Sequence, residues 1–368
     1  MKGARIDVTE PYLPPLEEFI PYLQQIWESK RLTNSGPLHL QLEMELAEFL
    51  GVDHIALLAN GTTALLIAFE ALQLSGEVIT TPYSFVATTH ALRWKNLTPV
   101  FVDIDPDSLT IDPKKIEAAI TPRTSAILAV HVYGQPCDVA AVQRIADTHH
   151  IKLIYDAAHS FAVQDQGGSI LRHGDLSILS FHATKVFTTF EGGAVVCRDA
   201  EMKHRIDSLK NFGLGGMDAA FDAGINGKMS EIHAAFGLVQ LQHVRKAINL
   251  RKRIDNRYRQ QLGGIPGIKL FSLTAGITQN YSYFPILIQE SYGTSRDELY
   301  YLLSDQQIFA RSYFSPLISN CASYRILPSA RKNNLPIANF CEDQVLCLPL
   351  SPSLTDEDVD RIVAVIRK

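Results

Sequence analysis

From about residue 38 to residue 200, apolar positions at helical spacing alternate with short uninterrupted apolar runs. LHLQLEMELAEFL (38–50) predicts a helix and DHIALLA (53–59) a strand. A turn at Asn60-Gly61-Thr62-Thr63 leads into an apolar helical stretch at 63–73. Further strands are predicted at 77–81, 98–104, 125–134, 151–158, 176–181 and 194–198, and further helices at 84–94, 113–120 and 138–150. This alternation predicts an α/β core around a largely parallel sheet. Beyond about residue 240 the texture changes. A long helical stretch at 234–262 carries Arg245, Lys246, Arg251, Lys252, Arg253, Arg257 and Arg259, which read as a solvated face. Shorter elements follow, as in an α+β lobe, and the final helix has an N-cap signal at Thr355. The expected division is a large α/β domain with the N-terminal segment (1–240) and a smaller C-terminal domain (241–368).

Composition narrows the class. A chain of 368 residues with 46% hydrophobic and 20% charged residues is ordinary for a globular protein. With 34 Lys plus Arg against 39 Asp plus Glu, it has no basic excess for nucleic acid. The five cysteines form no C-x-x-C pair, so neither a disulfide framework nor a zinc site is expected, and a cytoplasmic compartment fits. No metal is expected. The N-terminus has no apolar signal region, and no apolar run reaches membrane-spanning length. The G-x-G-x-x-G and P-loop fingerprints are absent.

In open α/β sheets, ligands bind beyond the carboxyl ends of the strands. Asn60-Gly61-Thr62-Thr63 opens a helix there and could cradle a phosphate, or be an ordinary turn. Phe85 could stack on a flat ring, or be core. Asp156 ends an apolar strand; it needs a cationic partner there, or serves as a helix cap. His159 follows three residues later. Lys185, in Ser180-Phe181-His182-Ala183-Thr184-Lys185, is solvent-facing or, if desolvated, a nucleophile towards aldehydes. Ser180 and Thr184 beside it could hold a phosphate, and Gly192-Gly193 admits close backbone approach. Phosphate cup, aromatic plate, acid and lysine, in this order and each at a strand end, are the parts needed to hold pyridoxal 5′-phosphate (PLP).

With these residues in place, the chain resembles the DegT/StrS-type nucleotide-sugar aminotransferases. The landmarks run from Leu32-Thr33-Asn34-Ser35-Gly36-Pro37 through Asp156-Ala157-Ala158-His159 and Asn226-Gly227-Lys228-Met229-Ser230-Glu231 to Leu348-Pro349-Leu350-Ser351-Pro352. The resemblance implies the aspartate aminotransferase fold (fold type I). It implies that Lys185 takes the cofactor covalently, Asp156 pairs with its ring nitrogen, Phe85 stacks on the ring, and His159 sits near the ring hydroxyl. Gly61, Thr62 and Ser180 would bind the phosphate, joined by Asn226 of the neighbouring subunit in a homodimer. Thr33, Asn34, Lys228 and Arg311 are substrate candidates; Arg311 reads equally well as a surface residue. The implied reaction is ping-pong transamination of a nucleotide-linked keto sugar with L-glutamate as donor.

Three departures stand out. Asn60 replaces a common Ser, Gly227 and Lys228 replace Tyr and Arg, and Phe190 replaces a frequent Gly. Val186-Phe187-Thr188-Thr189-Phe190-Glu191 resembles the branch that aminates C4. That branch converts dTDP-4-keto-6-deoxy-D-glucose to dTDP-4-amino-4,6-dideoxy-D-glucose for surface polysaccharides such as O-antigen. The alternatives are a 3-keto sugar or a UDP- or GDP-sugar substrate, a generic amino-acid aminotransferase, and a non-catalytic sensing dimer. Lys185 argues against relatives that dehydrate sugars, in which histidine replaces the lysine.

Overall fold

The computed structural model describes residues 4–214 and 222–368; the first three residues of the N-terminus discussed above lie outside it. Helices α1 (Leu16–Ser29) and α2 (Pro37–Leu50) lead into strand β1 (His54–Leu58). Helix α3 (Gly61–Ala71), β2 (Glu77–Thr80), α4 (Ala87–Trp94), β3 (Thr98–Phe101) and the single turn α5 (Pro113–Ile116) follow. Then come β4 (Thr124–Val130), α6 (Val139–His149), β5 (Lys152–Asp156) and a small hairpin, β6 (Gln164–Asp165) with β7 (Gly168–Ser169). Strands β8 (Leu176–Ser180) and β9 (Gly193–Cys197) and helix α7 (Ala200–Leu209) complete the first lobe. The long helix α8 (Glu231–Leu262) crosses into the second. That lobe holds β10 (Ile268–Leu270), β11 (Phe284–Ile288), α9 (Arg296–Asp305), α10 (Pro336–Gln344), β12 (Val345–Leu348) and α11 (Asp356–Ile366).

The main sheet has seven strands in the order β1-β9-β8-β5-β4-β2-β3. Strand β9 runs antiparallel to both neighbours, and the other pairs are parallel. The carboxyl ends of β1, β2, β4, β5 and β8 therefore share one edge, where β9 begins. Successive strand residues enter opposite cores: Ile55 and Leu57 pack with α1, α2 and α8, whereas Ala56 and Leu58 pack with α3 and α7. Both faces are covered, so the strands read as continuous apolar runs rather than alternating ones. The second lobe is built on the antiparallel sheet β10-β11-β12.

Three expectations need correction. The stretch 125–134 is strand only to Val130. His131 Nδ1 then accepts from Cys137 N–H (3.0 Å), and Tyr133 turns to φ 58°. These tertiary bonds divert a segment whose composition favours strand. The arginines of α8 are not simply a solvated face. Arg251 is buried and donates to the Leu350 carbonyl at 2.8 Å, Arg253 donates to the Leu354 carbonyl at 2.8 Å, and Arg257 pairs with Asp360 at 2.6 Å. They clamp the end of the chain onto α8. Finally, Ile6 pairs with Ile308 and packs in the second lobe's core, which places the start of the chain there rather than on the large lobe. Helix α8 continues through position 240; Val244 packs in the first lobe's core and Ile254 in the second's.

The Thr355 signal corresponds to a reciprocal cap on α11: Thr355 Oγ1 accepts from Asp358 N–H, and an Asp358 carboxylate oxygen accepts from Thr355 N–H. Among the described residues, no helix is long and apolar enough to cross a membrane, and no cluster of His, Cys, Asp and Glu is placed to hold a metal. All five cysteines are free.

Candidate active site

The shared sheet edge gathers the residues singled out in the sequence. After β1, Asn60 caps α3: its side-chain carbonyl accepts from Thr63 N–H at 2.8 Å. Asn60 thus serves as a cap through its carbonyl oxygen. The Gly61 and Thr62 amides occupy the first turn, where N–H groups lack intrahelical acceptors and favour an anion. Ser180 ends β8 directly beside them. A Cβ on Gly61 would stand 2.9 Å from Ser180 Cβ, and one on Gly193 would stand 2.5 Å from the Asn60 carbonyl carbon. The cup therefore depends on two glycines that let β1, β8 and β9 close together.

Asp156 ends β5 and is buried. Its Oδ2 accepts from Thr88 Oγ1 at 2.7 Å and its Oδ1 from Ala158 N–H at 3.1 Å. Thr88 Oγ1 also lies 2.8 Å from Ser84 Oγ, so three buried side chains form a chain beneath the site. Burial pushes the Asp156 carboxyl above its ordinary value, while the two hydrogen bonds and the Lys185 charge pull it down. This buried acid gains from a cation facing it, as a protonated ring nitrogen would.

Lys185 lies on the 181–192 connection between β8 and β9. The Phe181 N–H donates to the Gly192 carbonyl at 2.8 Å, and Thr189 N–H donates to the Phe181 carbonyl at 3.0 Å, closing the loop. Phe187 stacks on Phe161 at 4.6 Å and meets Phe181 edge-on at 4.9 Å. Burial lowers the Lys185 amine from 10.5 to about 8, opposed by the Asp156 charge. At pH 7.5 such an amine is neutral in about one molecule in four, against about one in a thousand at its ordinary value.

His159 lines the same small cavity as Lys185 and Thr184. Its Nδ1 accepts from Tyr133 N–H at 3.1 Å, which assigns the proton to Nε2, 3.4 Å from the Tyr283 hydroxyl. Burial, then the Lys185 charge, holds the imidazole well below its ordinary value, so it is neutral. Phe314 stacks on its ring with planes 5° apart. Tyr283 and Phe314 come from the second lobe, so that lobe builds one wall of the site.

Phe85 is 58% exposed at the turn after β2, free to stack on a ligand. Phe190 takes φ 64°, the left-handed region glycine favours, and is held by stacking on Phe236 at 4.0 Å. Thr33 and Asn34 are exposed in the α1–α2 loop. Asn226 is exposed and accepts from Lys228 Nζ at 2.8 Å; the Lys228 ammonium also lies over the Phe212 ring. A Cβ on Gly227 would meet Thr63 and Ile67 at 2.8 and 2.9 Å, which suits glycine at this position. Arg311 is exposed, its backbone paired with that of Cys347. The geometry thus brings together Gly61 with Ser180, and Asp156 and His159 with Lys185.

Sequence reasoning missed Thr88, Tyr133 and Tyr283. Ser84 and Thr88, four apart in a buried stretch, were the only local signal. Replacing Thr88 with Val keeps the shape and removes the donor to Asp156. The expected outcome is a cofactor affinity about tenfold weaker, read by absorbance titration of the apoprotein with PLP. An unchanged affinity would deny Thr88 a role in holding Asp156.

These parts fit PLP: an amine of depressed pKa, a buried acid suited to a cation, and an amide cup at a helix N-terminus. Residues 16–367 match the profile described as the DegT/DnrJ/EryC1/StrS aminotransferase family. The chain is 53% identical over 367 residues to a dTDP-4-amino-4,6-dideoxy-D-glucose transaminase of Escherichia coli, covering 100% of this chain and 99% of the relative. A Shigella dysenteriae protein of the same name is 53% identical over 363 residues, with 99% and 98% covered. The crystal structure of DesI, solved in the presence of its TDP-sugar product, matches with a TM-score of 0.95 at 36% identity, covering 99% of this chain and 93% of that one. The chain belongs to the DegT/DnrJ/EryC1/StrS aminotransferase family, whose members depend on PLP and its amine form.

Proposed function

We propose that this protein aminates dTDP-4-keto-6-deoxy-D-glucose at C4, giving dTDP-4-amino-4,6-dideoxy-D-glucose, with L-glutamate as amino donor and a homodimer as the active unit. The reading is carried by a lysine, an acid and an anion cup of the right chemistry in a chain that is 53% identical, end to end, to a transaminase named for that product. Overall, L-glutamate and the keto sugar become 2-oxoglutarate and the amino sugar, so nitrogen and oxidation state balance.

When bound, PLP supplies an aldehyde that accepts the amino group and a ring that draws electrons from the reacting carbon. This chain's residues do the rest. The amides of Gly61 and Thr62 and the Ser180 hydroxyl hold the phosphate, with Asn226 of the neighbouring subunit as a further donor. Asp156 keeps the ring nitrogen protonated by charge and hydrogen bonding. Neutral His159 presents its Nε2–H without adding a second positive charge beside Lys185. Phe85 covers one face of the ring. The Lys185 amine takes the proton from Cα of the donor, and its ammonium form returns one; near pH 7.5 a pKa of about 8 lets one group do both. In the second half the same group again takes up a proton as the neutral amine and then, as the ammonium, delivers it to C4 of the sugar.

The test is direct. Incubation with PLP, L-glutamate and dTDP-4-keto-6-deoxy-D-glucose should yield 2-oxoglutarate and a dTDP-sugar whose NMR spectrum places nitrogen on C4. No amino sugar from this substrate, or amination only of 2-oxo acids, would contradict the assignment. A monomer that retains full activity would contradict the shared site.

A further inference from the structure

Glu231 is the first residue of α8, yet its carboxylate serves another helix. Its Oε2 accepts from Leu38 N–H at 2.9 Å and its Oε1 from His39 N–H at 2.8 Å. Those are the second and third residues of α2, the amides that an N-cap side chain would serve. Helix α2 cannot serve them itself: its N-cap is Gly36, with no side chain, and Pro37 has no N–H to offer. Glu231 is 1% exposed, so this cap is internal. A Cβ on Gly36 would lie 2.6 Å from the Glu231 carboxyl carbon, so the glycine admits the acid.

The same residue grips the loop that precedes α2, because Glu231 N–H donates to the Leu32 carbonyl at 2.9 Å. Between these contacts lie Thr33, Asn34 and Ser35. Asn34 and Ser35 both hold positive φ, 62° and 52°, which non-glycine residues keep only where surroundings impose it. On its other side, Glu231 follows a segment welded to the sheet edge. Gly227 N–H donates to the Lys210 carbonyl, Ala59 N–H donates to the Gly227 carbonyl, both at 2.8 Å, and Lys228 pairs with Leu58. That edge is where the Asn60–Thr63 cup begins.

We infer that Glu231 is a positioning residue for nucleotide-sugar recognition: it fixes the 32–36 loop, through the end of α2, in register with the 226–230 segment and the sheet edge. This rests on the reading of Thr33, Asn34 and Lys228 as substrate contacts. Two exposed residues at positive φ keep one conformation because Glu231 holds both ends of their loop, the Leu32 carbonyl through its backbone N–H and the Leu38 and His39 amides through its buried carboxylate.

Three variants test it: Glu231→Gln, Glu231→Ala and Gly36→Ala. The last leaves Glu231 in place and displaces its carboxylate through a Cβ at a backbone angle that alanine tolerates. Glu231→Ala and Gly36→Ala should raise KM for dTDP-4-keto-6-deoxy-D-glucose about tenfold or more, a misplacement effect, with a smaller rise in kcat-normalised terms for L-glutamate alone. Glu231→Gln keeps one accepting oxygen and should fall between. The second readout is the absorbance half-reaction with L-glutamate and no sugar, which a purely structural role would slow in parallel. An unchanged sugar KM in Gly36→Ala, or parallel losses in both half-reactions, would overturn the inference. If Glu231→Ala fails to fold, the other two variants decide the question. Wild-type protein that aminates the sugar upholds the functional reading whatever the variants do; wild type inert to it removes that reading and this inference together.

Discussion

Lys185→Ala should fold normally and lose about 10⁴-fold or more of its transamination rate. Among the described residues, the side chain supplies the only amine that lines the cavity with His159 and Thr184, and its loop is held by Phe161, Phe181 and Phe187 rather than by the amine. A circular dichroism melt should therefore match wild type while both half-reactions fail. Wild-type turnover by the variant would refute the assigned role. The depressed pKa adds a pH test. Capture of PLP by the apoprotein requires the neutral amine, whose fraction rises with pH through about 8. The capture rate should climb from pH 6.5 and level off above pH 9. A rate still rising steeply past pH 10 would mean an ordinary, solvated lysine.

The second large effect is at Asp156. Asparagine there keeps the shape and the hydrogen-bond acceptor for Thr88 but removes the negative charge. A neutral partner cannot hold the ring nitrogen protonated, so the electron demand at the reacting carbon falls. Both half-reactions should slow by about 10²–10³-fold, the scale for losing one preorganised electrostatic group. The visible spectrum should still show cofactor attached to Lys185, because that bond does not involve Asp156. Half-reaction rates within about threefold of wild type would contradict the pairing, since a charge-assisted bond in a buried site carries more than that.

The sequence made the sheet legible because both faces of its central strands are covered, which leaves uninterrupted apolar runs at β1, β4 and β5. It made Asp156 legible because that acid closes the run of β5, and Lys185 because it lies a few residues beyond the run of β8. What it hid were contacts between distant segments. Tyr283 reaches His159 across the two lobes, and no spacing announces it. Tyr133 lies in a stretch that reads as strand, but its N–H is taken by His159 Nδ1. The arginines of α8 read as solvent-facing because their acceptors, the Leu350 and Leu354 carbonyls and the Asp360 carboxylate, lie about a hundred residues further along the chain. Asn60, in a stretch that reads as a phosphate cradle or a turn, caps α3 through its side-chain carbonyl. Helix α1 carries Pro21 inside it, a residue that normally argues against a helix.

The central claim is that one lysine, its amine lowered to about 8 beside a buried acid, moves the protons while bound PLP holds the amino group in transit from an amino acid to a nucleotide-linked keto sugar. The most direct measurement is the visible absorption of PLP-loaded protein through one full cycle. L-Glutamate alone should bleach the yellow band, and dTDP-4-keto-6-deoxy-D-glucose added after removal of the glutamate should restore it. A band that neither compound changes would contradict the account.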